Sequence, residues 1–316
     1  MKIGILGVGS IGGAILGCLT DCDSELVCVS RGASHEFLES GLTLFTPEGS
    51  VEMIPRESYS LYDSENGPFP EEVLGSCEVV IICGKADSTA SLASIAEDLI
   101  SESGIAVSIQ NGLGHAEIIS SRVGKHRVIG GSTTHSAWRD IDGSVHWTGR
   151  GSIELGRFDG DEPGEIAKDF ISILDDSRLS PRWSYNIEGE IWRKLMINVA
   201  INPVCAIAGV RNGALTEIPE LWEQSVATMR EAELVALELG VDLGKIDNEE
   251  YLKSVVISTS ENRVSMLQDL MSGRKTEIEV LCGKIVKIGE ELGIPTPKNS
   301  MLLALVKGIE MSQHLD

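Results

Sequence analysis

Three residues stand out by type and spacing in the apolar stretch EIWRKLMINVAINPVCAIAGV, residues 190 to 210: Lys194, Asn198 and Asn202. A lysine ammonium can stabilise a developing negative charge and give up a proton. Two amides can hold a hydroxyl or carbonyl beside it. At about 100° per residue, their i, i+4, i+8 spacing makes a stripe roughly 80° wide on one helix face. The other faces carry Leu195, Met196, Ile197, Val199, Ile201 and Val204, a core-packing set. An amide buried without a partner costs on the order of 1–3 kcal/mol. Two in line imply something polar opposite them, either a network between helices or a ligand. The lysine on the same line argues for the ligand. Pro203 removes the N–H that would bond the Val199 carbonyl and disfavours helical geometry at Asn202. A kink is expected there, aiming Asn202 toward the polar side.

A second group of residues suits nucleotide chemistry. LGVGSIGG holds Gly7, Gly9 and Gly12 in G-x-G-x-x-G spacing, directly after an apolar strand and at the opening of a helix. In that context the first glycine permits a tight turn, the second lets the backbone approach a pyrophosphate, and the third lets helix and strand pack closely. Val8, Ser10 and Ile11 complete the loop, and the free N–H groups of the helix face the phosphate charge. The second strand ends in VSRG, with no carboxylate to accept from a ribose 2′-hydroxyl. Arg31 suits a 2′-phosphate instead, so NADP(H) is expected over NAD(H). Lys85 and Asn111 follow two further strands, at the edge where open α/β sheets bind ligands. Asn111 precedes Gly112, a common turn pair, so turn chemistry alone also accounts for it.

The elements that must position these groups change character along the chain. Strands are expected at 2–7, 25–31, 77–85 and 105–112, with helices at 10–20 and 87–100 and a β excursion over 42–54. RVIGGSTTHSAW, SVHWTG and SIELGRF are expected to extend the same sheet with antiparallel members. From residue 187 helices dominate, at 188–209, 218–240, 247–258, 260–270, 275–292 and 299–313. The class is α/β: a Rossmann-type doubly wound sheet over 1–186, then an all-helical domain over 187–316. A length of 316 residues suits two such cores.

Composition narrows the partners. The chain is 42% hydrophobic and 23% charged with a net charge of −22. Such a surface repels polyanions, so neither nucleic acid nor an anionic membrane is expected as a partner. An anionic small molecule must find local cations. Seven cysteines sit mostly in apolar runs without metal-ligand spacing, which argues for reduced thiols and no metal. MKIGILGVGS opens as a strand rather than a signal peptide, and a cytoplasmic location is expected.

The motifs together carry a resemblance. EIWRKLMINVAINP followed by RNG is similar to the signature of the ketopantoate reductases. KIGILGVGSIGG, QNGLG, GSTTHSAWRDIDG, SMLQDLMSGRKTEIEVLCG and GIPTPKNSMLLALVKG follow in that family's order over the whole chain. The resemblance implies NADPH-dependent reduction of 2-dehydropantoate, a small 2-keto acid, to (R)-pantoate, on the route to pantothenate and coenzyme A. It implies a helical domain like the C-terminal domain of 6-phosphogluconate dehydrogenase, and a possible homodimer. Lys194 matches the catalytic lysine, and Asn198, Asn202 and Asn212 match the substrate-pocket asparagines. Ser265 matches the serine that binds the substrate carboxylate, with Asn262 beginning that wall. Glu277 matches the glutamate at the nicotinamide end, and Asn111 the asparagine between cofactor and substrate. Arg31 and Lys85 match the 2′-phosphate partners, and Ala137 a backbone contact to the cofactor. The chain departs from the family's TEID…NG at Glu279 and Cys282, which leaves the packing around Glu277 open. Another 2- or 3-hydroxyacid dehydrogenase of the same superfamily is the alternative; a nucleotide-sensing protein without catalysis is a weaker one.

Overall fold

The computed structural model describes residues 1–312, which divide into two compact units, Met1–Gln110 with Gly114–Ile187 and Asn111–Leu113 with the helical remainder. In the first unit, β1 (Lys2–Leu6), α1 (Ser10–Leu19), β2 (Glu25–Ser30) and α2 (Ala33–Leu38) lead to the short strands β3 (Leu42–Phe45), β4 (Val51–Ile54) and β5 (Ser60–Asp63). Then come β6 (Cys77–Ile82), α3 (Thr89–Leu99), β7 (Ile100–Ser108), α4 (His115–Val123) and β8 (Val128–Thr133). β9 (Ser136–Arg139), β10 (Val145–Gly149), β11 (Ile153–Gly156), α5 (Glu165–Asp176) and β12 (Pro181–Trp183) complete it.

Eight strands form the main sheet in the order β12-β11-β8-β7-β6-β1-β2-β5. The six from β8 to β5 pair in parallel, and β11 runs antiparallel to β8. Near-continuous apolar strands such as KIGIL and CEVVII suit a sheet covered on both faces. Two buried clusters meet that need. One holds Ile3, Ile5 and Leu16, the other Leu6, Val80, Ala96 and Ile119. The chain winds outward from β1 through β2, then returns to lay β6 on the other side of β1. That reversal puts a crevice at the carboxyl ends of β1 and β6.

The sheet departs from expectation in one respect. β9 and β10 do not extend it but join the β3–β4 excursion in a separate four-stranded sheet, ordered β4-β3-β10-β9. Helix α1 accounts for the split, because its glycines let this second sheet close on it. A Cβ at Gly13 would stand 2.7 Å from Val145 Cγ2, and one at Gly17 2.7 Å from Leu44 Cδ2.

The second unit is helical: α6 (Ile187–Ala208), α7 (Ala214–Glu217), α8 (Pro219–Glu238), α9 (Asn248–Ser258), α10 (Ser265–Met271), α11 (Cys282–Leu292) and α12 (Pro297–Ser312). The expected end of the last helix at residue 313 lies outside the described residues. Helix α6 is long and apolar enough to cross a bilayer, yet 67% of its most apolar window is buried. Leu195, Met196, Val199, Ala200 and Cys205 sit in the core with Met229, Val235 and Ile285. Helical geometry continues through Asn202 and Pro203 to Ala208, so the proline does not end the helix. Two expected helices are shorter than their sequence pattern. Residues 260–264 precede α10, and 275–281 form a turn before α11.

Candidate active site

In the first unit the glycines of the β1–α1 loop have different physical roles. Gly7 has φ +79°, and a Cβ on it would fall 2.5 Å from the Gly84 Cα. Only two side-chain-free residues let the ends of β1 and β6 meet this closely. At Gly12 a Cβ would approach the Gly7 carbonyl oxygen to 2.8 Å. Gly9 is unlike either: its φ is negative, at −95°, and the nearest described atom to a Cβ is 4.0 Å away. Packing within the protein does not require a glycine there, whereas close approach of a pyrophosphate does. Among the described residues no side chain caps α1. The first-turn N–H groups of Ser10, Ile11 and Gly12 thus suit an anion. Loop shape and donor set fit a dinucleotide.

Other groups gather at this rim. Arg31 is exposed just after β2; its Nη2 donates to Ser88 Oγ at 3.3 Å, and Nη1 lies 3.8 Å from Glu65. Exposed Lys85 heads the turn after β6. Ala137 is half-buried on β9, packed against the core. Sequence reasoning passed over the groups that fix these loops. Gln110 Nε2 donates to the Gly84 carbonyl (2.7 Å) and to Thr89 Oγ1 (2.9 Å), bracing the turn that carries Lys85. Arg139 was likewise unmarked, although it stands two residues beyond Ala137 on the same strand.

The second unit holds the polar stripe. Lys194, Asn198 and Asn202 are half-buried along α6 while their neighbours are fully buried, so the stripe is the less covered line of a core helix. Burial lowers the Lys194 ammonium pKa from its ordinary 10.5 to about 8, and the Glu277 carboxylate opposes that shift. Glu277 lies in the turn before α11, not on a helix. The turn is pinned on both sides, as the Thr276 N–H donates to Glu310 (2.7 Å) and the Ile278 N–H to Thr276 Oγ1 (3.2 Å). Asn111 Nδ2 donates to Glu277 Oε2 at 3.1 Å. Gly112 permits the approach: φ is +94°, and a Cβ would stand 2.8 Å from the Val280 carbonyl oxygen.

The remaining asparagines and the serine divide between buried and exposed positions. Asn212 is buried, its amide donating to Thr259 Oγ1 (2.9 Å) and its backbone N–H to the Asn262 carbonyl (3.1 Å). Its side-chain oxygen has no hydrogen-bond partner among the described residues. Asn262 and Ser265 are exposed, just before and at the start of α10. The two departures find partners of their own. Glu279 pairs with Lys307, and Cys282 is buried in the core, where desolvation raises its thiol pKa. All seven cysteines are free thiols.

A glycine-loop α/β unit joined to a helical unit bearing a lysine–asparagine stripe matches one family over both parts. The pattern described as ketopantoate reductase PanE/ApbA matches residues 3–160, and its C-terminal counterpart residues 186–310. The chain belongs to the ketopantoate reductase family. It is 33% identical over 309 residues to the 2-dehydropantoate 2-reductase of Archaeoglobus fulgidus, covering 98% of each chain. Among solved structures, the PanE/ApbA family ketopantoate reductase of Ralstonia eutropha superposes with a TM-score of 0.86 at 27% identity, covering 99% of this chain and 100% of that one. D-mandelate dehydrogenase, solved with NADH and anilino(oxo)acetate, gives a TM-score of 0.88 at 25% identity, covering 99% of both. Ketopantoate reductases thus share their architecture with a dehydrogenase of another 2-hydroxy acid.

Proposed function

We propose that this chain reduces 2-dehydropantoate to (R)-pantoate with NADPH, a step of pantothenate and coenzyme A biosynthesis. Within the family, the observation that carries the reading is a half-buried lysine on the polar stripe of α6, its pKa lowered by burial to about 8 and the Glu277 carboxylate opposing that shift. The bound cofactor supplies the hydride. The chain's own residues bind and orient the keto acid and move the proton. Lys194 stabilises the negative charge that develops on the ketone oxygen and then protonates it. Its lowered pKa makes it a better acid than an ordinary lysine, while Glu277 keeps enough of it charged. Asn111 holds Glu277 in place through its amide. Asn198 and Asn202 hold the substrate's hydroxyl and carbonyl, Asn212 supports that pocket, and Ser265 with Asn262 receives the carboxylate. Gly7 to Gly12, Ala137, Arg31 and Lys85 hold the dinucleotide, with the two cations on the 2′-phosphate. A cytoplasmic homodimer is the proposed form; sedimentation equilibrium returning a single-chain mass would refute the dimer, and fractionation of cells checks the location.

The test follows NADPH absorbance with and without ketopantoate. Oxidation should require the keto acid, and NADPH should outperform NADH. The likeness to D-mandelate dehydrogenase supplies the competitor: faster turnover of 2-oxo-2-phenylacetate with NADH would make the chain a different 2-hydroxyacid dehydrogenase.

A further inference from the structure

Arg139 ends β9 two residues after Ala137, so both side chains lie on the strand face turned toward α1. Its Nη1 donates to the Val8 carbonyl at 3.2 Å and to Ser34 Oγ at 2.7 Å, and its guanidinium lies 5.6 Å from the Phe37 ring centroid. Val8 belongs to the glycine loop, immediately before Gly9. Ser34 lies three residues after Arg31, in the first turn of α2. One guanidinium therefore ties the loop suited to the pyrophosphate to the loop suited to the adenosine ribose. The Phe37 platform is itself held close. At Gly143, in the β9–β10 turn, a Cβ would stand 2.3 Å from the ring. Both bonds come from the one nitrogen Nη1, so it is the flat guanidinium against the Phe37 ring, rather than the hydrogen bonds alone, that distinguishes arginine from lysine here.

We propose that Arg139 is a positioning residue for the dinucleotide: a clasp that sets the spacing between the phosphate loop and the ribose loop without itself touching the 2′-phosphate. The proposal rests on the NADP(H) reading of this site. NADPH and NADH both span the two loops, so both should feel the loss of the clasp equally. A ligand that reaches only the ribose loop should not.

The experiment measures dissociation constants of NADPH, NADH and 2′-AMP by fluorescence titration and competition, for wild type, Arg139→Met, Ser34→Ala and Arg31→Ala. Arg139→Met should weaken NADPH and NADH alike, by about tenfold or more for the loss of charge-assisted hydrogen bonds. The 2′-AMP constant and the keto acid KM at saturating cofactor should stay at wild-type values. Ser34→Ala should show the same pattern at a few-fold, and it decides the matter if Arg139→Met does not fold. Unchanged NADPH and NADH constants overturn the proposal. So does a loss confined to NADPH, which would make Arg139 a direct phosphate ligand, and so does a parallel loss of 2′-AMP, which would make the effect a general loosening. Failure of the underlying reading looks different: Arg31→Ala would then weaken both cofactors equally, or the wild type would bind neither.

Discussion

In the proposed reaction Lys194 must be an ammonium to protonate the alkoxide, and a neutral amine for the reaction to run backward. With its pKa held near 8 by burial, the charged fraction falls as pH rises through that value. Ketopantoate reduction should therefore lose rate above about pH 8, with pantoate oxidation gaining over the same range, read from pH profiles of kcat. Glu277 raises this pKa, so Glu277→Gln should move the alkaline limb to lower pH; a limb that stays in place or moves up would remove the carboxylate from this role. Lys194→Ala should depress kcat by roughly 10²–10⁴, the usual worth of a positioned acid, with the NADPH dissociation constant nearly unchanged. Near-normal turnover would take the lysine out of the mechanism. Arg31→Ala belongs to the same scale, since a guanidinium on a 2′-phosphate should cost NADPH binding far more than NADH binding.

At the scale of elements, the turn before α11 matters more than the helix. Glu277 reaches its place because its flanking residues are tied down and the 111–113 segment passes against it. Gly112→Ala would combine a left-handed backbone with a Cβ 2.8 Å from a carbonyl oxygen. The expected cost is roughly 1–3 kcal/mol of stability, measured by denaturant titration, with Asn111 displaced and kcat lowered. Gly273 makes the comparison clean. Its φ is +63° but nothing stands within 4 Å of a Cβ, so Gly273→Ala should cost about 1 kcal/mol and leave kcat alone. Equal kcat in both variants would show that the approach at Val280 does not position Asn111.

For the whole molecule, the net charge of −22 opposes the arrival of an anionic keto acid and a polyanionic cofactor. At about 10 mM salt the screening length is roughly 30 Å and the full charge is felt; near 150 mM it is about 8 Å and only groups near the ligand, Lys194 and Arg31 in the proposed site, matter. Raising ionic strength across that range should therefore increase kcat/KM for the keto acid. A steady fall with salt would mean that local cations already dominate at long range.

Some of this protein is local and was legible in residue order. The Gly7–Gly9–Gly12 spacing encodes one strand–turn–helix junction, and 194, 198 and 202 share a face because any helix returns to it about every four residues. Alternating apolar runs likewise foretold a parallel sheet and a helical remainder. Residue order suggested the main sheet for β9 and β10, and they joined β3 and β4 in a second one, because an alternating strand names its own faces but not its neighbour. Nor did it show that Glu277 would leave the helix for a pinned turn, since the Thr276–Glu310 and Asn111–Glu277 bonds join residues 34 and 166 positions apart. The Arg139 clasp was hidden for the same reason, its acceptor on Val8 lying 131 positions away. The Lys194 pKa depends on how much protein surrounds an ammonium and on a carboxylate from a distant turn. Desolvation and charge act through space, so only the tertiary structure decided them.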